Sequence, residues 1–169
     1  MGRLADSLPV MSSHTNSDAN SPLRGDARTT VDPRGPRFGG AVTTVVLAVA
    51  LITYGSTLST VLIAWQTLVF ALGAFVGLYA QPYGVIFRKL ICPRLAPPSE
   101  LEDAAPPRFA QLVGFIFAAV ALIATLAGAS VVALVAIAFA LAAAFLNAAF
   151  NFCLGCEMYL IGRRVLARG

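Results

Sequence analysis

The sequence predicts an all-α membrane protein with four transmembrane helices arranged as two tandem hairpins, N and C termini cytoplasmic. Composition is the first reason. The 169 residues are 58% hydrophobic and 12% charged, with a mean hydropathy of +0.79, a balance typical of membrane chains. Charge placement is the second. Phe38 to Phe87 and Phe109 to Cys156 are runs of 50 and 48 residues without Asp, Glu, Lys or Arg. A soluble helix pair needs a charged outer face, whereas two bilayer crossings of about 20 residues and a tight turn do not. The third reason is that all 12 basic residues fall outside these gaps. They precede the first gap, separate the two, or follow the second, which is the positive-inside pattern.

Residues 1–31 read as a disordered N-terminal tail, because their apolar content is too low to offset ordering entropy. They contain no apolar h-region, so no secretory signal peptide is expected. Met11 competes with Met1 as the start. His14, the single histidine, reads as a solvated tail residue. Residues 32–169 form one four-helix membrane domain, with spans expected at about 38–54, 58–80, 109–128 and 131–152. Gly55-Ser56 and Gly128-Ala129-Ser130 supply the two uncharged turns.

Residues 81–108 form the cytoplasmic loop. Gln81-Pro82-Tyr83 ends or kinks span two. Tyr83 to Ile91 suits a helical extension or an interfacial segment. Leu95 to Pro107 carries four prolines and three acids and reads as a linker without regular structure. Tyr79 and Tyr83 fit the membrane interface, and Trp65 reads as packing. Gly73 and Gly77 form a G-x-x-x-G that permits close helix contact. Pro36-Arg37-Phe38 recurs as Pro107-Arg108-Phe109, and Phe70-Ala71-Leu72 as Phe139-Ala140-Leu141. These echoes suggest a duplicated hairpin with its two-fold axis along the membrane normal.

The chemistry centres on cysteine. Cys153 and Cys156 form a C-x-x-C at the expected C-terminal end of span four. The i, i+3 spacing puts both sulfurs on one helix face, a geometry for thiol–disulfide exchange or soft-metal ligation. Arg163 and Arg164 would favour a thiolate there; Glu157 and a helix C-terminus would oppose it. Cys92, beside Arg88 and Lys89, is a weaker candidate on the same side. In a reducing compartment such thiols point to reactivity rather than structural disulfides. No cofactor or metal is expected. Glu157 occupies the histidine position of a haem motif, and three cysteines fall short of a four-ligand zinc or iron–sulfur site. A thioredoxin fold would need a βαβ context.

Asn147 and Asn151, i and i+4 in span four, are expected to project away from the cysteine face, as interhelical glue or lining of a substrate path. Gln66 in span two is their possible partner. The net charge of +4 sits beside apolar spans and points to lipid headgroups, not nucleic acid.

From Val31 onward the chain resembles a bacterial membrane family, domain of unknown function 4395. The resemblance is carried by Val31-Asp32-Pro33-Arg34-Gly35-Pro36-Arg37-Phe38, Pro107-Arg108-Phe109 and Phe152-Cys153-Leu154-Gly155-Cys156. It implies a small inner-membrane protein of actinobacteria working in thiol redox or sulfur metabolism, beside thioredoxin-like proteins and sulfurtransferases. Cys153 and Cys156 carry over as characteristic positions of the family.

Three functions compete. The leading one is a redox or sulfur-transfer component of the plasma membrane, using Cys153 and Cys156 with a thioredoxin- or rhodanese-like partner. The second is a transporter or channel for a small sulfur compound, formed by a homo-oligomer. The third is a scaffold for soluble enzymes. No triad, phosphate loop or paired-carboxylate site is visible, and no stand-alone catalytic activity is expected.

Overall fold

The computed structural model describes residues 29–98 and 100–167. Four of its helical segments are long and apolar enough to cross a membrane: Arg34–Ile52, Thr57–Val76, Ala105–Leu126 and Ser130–Phe150. The first is α1. The second is α2 (Thr57–Ala71) continued by a π-helical turn, Leu72–Val76. The third and fourth are α4 and α5. Between α2 and α4 lies the short α3 (Pro82–Ile86), followed by a π turn at Phe87–Ile91 and a 3-10 turn at Cys92–Arg94. A separate helix, α6 (Leu154–Leu166), ends the described chain.

The helices close a square. α1 packs on α2 and α5, and α4 packs on α2 and α5. The core is small-residue packing: Ala50, Ile63, Ala121, Ala136 and Ile137 form its buried centre. The outer faces keep Val45, Ile52, Ile123 and Val131 exposed, as lipid-facing positions require. At one end the turns are tight. Gly55 (φ 90) and Gly128 (φ 75) take left-handed conformations there, and Ser56 caps α2 by accepting the Ser59 N–H at 3.2 Å, an N-cap role suited to serine.

The other end carries two arginines on helix carbonyls. Arg37 Nε donates to the Ala148 carbonyl in the last turn of α5, 3.1 Å away. Arg108 Nη2 donates to the Ala74 carbonyl, also at 3.1 Å. Each guanidinium thus meets the negative pole of a helix with unsatisfied carbonyls.

Several expectations change. The second span stops at Gly77 (φ 131) rather than at Pro82. Gly77 therefore ends a helix, and the G-x-x-x-G does not act as one packing face. Pro82 instead opens α3, where its missing N–H costs nothing. Linker 95–107 is not wholly irregular: β2 (Glu102–Asp103) pairs antiparallel with β1 (Thr30–Val31), and α4 already begins at Ala105. Tyr83 is buried inside the bundle, only 4% exposed. Its hydroxyl donates to Gln66 Oε1 at 3.1 Å and accepts from Trp65 Nε1 at 3.0 Å. The expected disordered tail, His14 included, lies outside the described residues except for 29–31, where Thr30 and Val31 form β1.

Candidate functional site

Span four ends before the cysteines. α5 stops at Phe150, and Asn151 takes a left-handed conformation (φ 54). The Phe152 N–H then reaches back to the Leu146 carbonyl at 3.3 Å, a Schellman-type closure that asparagine tolerates better than most residues. The pair was expected at a helix C-terminus and lies instead at the N-terminus of α6. Cys153 is the N-cap, and its Sγ accepts the Cys156 N–H at 3.3 Å. This reverses the helix-terminus contribution alone: the positive pole of α6 favours a thiolate at Cys153. Cys153 and Cys156 are joined by a disulfide, with Cα atoms 5.2 Å apart. Both are half-buried, while Glu157 is exposed in the first turn of α6.

Gly155, between the cysteines, is buried, and it holds α6 in place. A Cβ there would lie 2.5 Å from the Ala110 Cα of α4, closer than packed atoms approach. Only glycine lets the two backbones meet this closely. Sequence reasoning missed this role; the signal was a glycine among apolar residues, which often marks close backbone approach.

This docking closes a cavity of about 280 Å³ among α1, α4, α5 and α6. Cys153 lines it; Cys156 does not. Asn147 lines the same cavity, so it shares the Cys153 surroundings rather than facing away. Its Nδ2 donates to the Pro36 carbonyl at 3.3 Å. Gln111, unremarked in the sequence, is a second amide in the wall, and its Oε1 accepts from Gln81 Nε2 at 3.0 Å. Each amide needs a glycine opposite. A Cβ at Gly40 would meet Asn147 Nδ2 at 2.8 Å, and one at Gly73 would meet Gln111 Oε1 at 2.8 Å.

Other candidates lie elsewhere. Gln66 is fully buried, donates to Thr43 Oγ1 at 3.2 Å and accepts from Tyr83; it ties α1, α2 and α3 together and does not pair with either asparagine. Asn151 forms the helix break and Cys92 is a free thiol in the 3-10 turn; neither lines the cavity. Among the described residues no cluster of His, Cys, Asp or Glu could hold a metal ion. Burial pushes the Tyr83 phenol up from its ordinary 10.0, against the smaller lowering effect of the Trp65 N–H.

The cavity wall is apolar apart from a few groups, and no charged side chain contributes to it. Such a site suits a neutral, largely apolar molecule. No curated protein matches the chain, and no solved structure does. Residues 31–164 match the family model described as Domain of unknown function (DUF4395). That match takes in all four long helices, the cavity and the cysteine pair, and the chain belongs to this family.

Proposed function

We propose that this protein is a thiol–disulfide exchange component of the plasma membrane, serving a thioredoxin- or rhodanese-like dithiol partner. One observation carries the reading: a Cys153–Cys156 disulfide stands at the N-terminus of a helix, beside a cavity in an apolar bundle. The two cysteines divide the work. Cys156 lies off the cavity wall and meets the partner. A partner thiolate attacks Cys156 Sγ, the Cys153–Cys156 bond breaks, and Cys153 leaves as a thiolate. The Cys156 N–H and the positive pole of α6 favour that leaving group. The partner's second thiol then gives up its proton and displaces Cys156, which takes up a proton. The pair is now a dithiol and the partner a disulfide.

The same reading has the four spans as two tandem hairpins, with termini and the 81–108 loop cytoplasmic. The confinement of basic residues supports it, as do the matched Arg37–Ala148 and Arg108–Ala74 bonds. In a reducing compartment a disulfide fits a catalytic role better than a structural one. The uncharged cavity wall weighs against a path for a sulfur anion.

Trapping tests the proposal. Offered the partner in its disulfide form, Cys153→Ser should accumulate a mixed disulfide: the Cys156 thiolate breaks the partner's disulfide, and no Cys153 remains to complete the exchange. Cys156→Ser should accumulate none, and a non-reducing gel separates the two. A folded Cys153→Ser variant that captures no such oxidised partner would sink the reading.

A further inference from the structure

We infer that the cavity binds a lipid-soluble quinone, which receives the electrons of the Cys153/Cys156 dithiol. The inference rests on the thiol-exchange reading and supplies its electron acceptor. At about 280 Å³ the cavity is near the lower end of small-molecule sites, with room for a ring headgroup rather than a whole lipid. Its mostly apolar wall, with no charged side chain, disfavours an anionic oxidant. Phe70, Phe117 and Phe139 provide aromatic surface, suited to stacking against a flat ring. Phe139 and Met158 line the cavity yet are 60% and 55% exposed. The rim is therefore apolar and reaches the outer surface of the bundle, where a lipid tail can lie.

Two amide groups complete the match. Among the described residues neither Asn147 Oδ1 nor Gln111 Nε2 takes part in a hydrogen bond, and both residues line the cavity. One accepts and the other donates. A quinone carbonyl takes the donor, and a hydroquinone hydroxyl satisfies the acceptor. Cys153 completes the wall, and its sulfur is the one that the α6 N-terminus favours as a thiolate.

The step balances without a further reactant. The Cys153 thiolate adds to a ring carbon of the quinone, and the C–S bond pushes one electron pair onto a ring oxygen. The Cys156 thiolate attacks Cys153 Sγ; the S–S bond forms, the C–S bond breaks, and its electron pair passes to the ring. The two thiol protons end on the two oxygens. Dithiol and quinone become disulfide and hydroquinone.

The test uses the full chain in lipid nanodiscs, reduced with dithiothreitol and desalted, with a decyl-tailed benzoquinone and a tailed naphthoquinone as probes. We expect one quinone reduced per chain, at a rate that saturates with quinone concentration. Cys156→Ser, which keeps only the cavity-facing thiolate, should develop a visible thiolate–quinone charge-transfer band; Cys153→Ser should not. Ala143→Phe, which fills the cavity, or Asn147→Leu, which removes the free acceptor, should raise the half-saturating quinone concentration tenfold or more. Oxidation that stays linear in quinone and shows no band in Cys156→Ser overturns the inference. If the disulfide nevertheless exchanges with a thioredoxin-like dithiol, the thiol reading stands and only the quinone falls. If neither exchange occurs, both fall.

Discussion

Arg37 Nε lies 3.1 Å from the Ala148 carbonyl oxygen, joining the start of the first long helix to the end of the last. Arg108 makes the counterpart bond to Ala74. The match extends further. Phe38, next to Arg37, packs on Phe87, with ring centroids 5.8 Å apart. Phe109, next to Arg108, packs on Tyr159 at 5.8 Å. Gly40 faces Asn147, and Gly73 faces Gln111. The P-R-F echo in the sequence thus has a structural counterpart.

If these guanidiniums cap helix ends, Arg37→Gln and Arg108→Gln should each cost about 1 kcal/mol. The sites share no partner, so the double variant should cost about the sum. Thermal unfolding in detergent would measure both. A double variant no less stable than wild type would show that the bonds contribute nothing.

The glycines of α6 offer a matched pair. Gly155→Ala forces its Cβ against Ala110, so α6 should lift from α4 at a cost of about 1–3 kcal/mol. Gly162, on the same helix, has nothing within 4 Å of an added Cβ. Gly162→Ala should be neutral or stabilising by about 0.5–1 kcal/mol. Hydrogen exchange over Leu154–Leu166 reads this directly: faster in the first variant, unchanged or slower in the second.

Cys153 also caps its helix. Serine can accept the same N–H, whereas Cys153→Ala should cost about 1 kcal/mol of α6 stability. Cys153→Ser is therefore the cleaner redox variant. Equal protection of α6 in the Ser and Ala variants would argue that the cap is not stabilising.

Tyr83 gives a pH dependence. Burial raises its folded-state pKa above 10.0. Below pH 10 both the folded and unfolded chains hold the proton. Above it the unfolded chain releases the proton first, so stability falls as pH rises, until the folded phenol also titrates. Trp65, the single tryptophan, donates to this hydroxyl, and its fluorescence should report the loss. Tyr83→Phe should remove this alkaline component while costing about 1–3 kcal/mol for the stranded Gln66 and Trp65 groups. An alkaline transition identical in Tyr83→Phe would assign it elsewhere.

The four long helices were legible because lipid imposes a crude rule: no charge over the length of a crossing. The break at Asn151 was not. Phe152, Cys153 and Leu154 continue the apolar run, so hydropathy has no edge where residues 151–153 separate α5 from α6, Asn151 left-handed and Cys153 extended. That three-residue break converted an expected C-terminal cysteine pair into an N-terminal one. The cavity was equally hidden, since its wall draws on residues far apart in the chain. Gln66 found its partners in Thr43 and Tyr83 because α3 folds back onto α1, and the period of α2 alone says nothing about that. Two-residue strands such as β1 and β2 are too short to leave a pattern.

The left-handed residues Gly77 and Asn151 stop the two spans that follow tight turns, and a shorter helix folds back after each. The frame is thus used twice, yet its contents differ. After Gly77 the returning segment places Tyr83 in a hydrogen-bonded web with Gln66 and Trp65, and the cavity beside that segment is only about 90 Å³. After Asn151 it places a sulfur pair beside unfilled space. One copy of the frame is free to serve as a fixed keel for the other. Changes in the second copy can alter the surroundings of Cys153 and Cys156 without loosening the first, a separation that two identical subunits could not achieve.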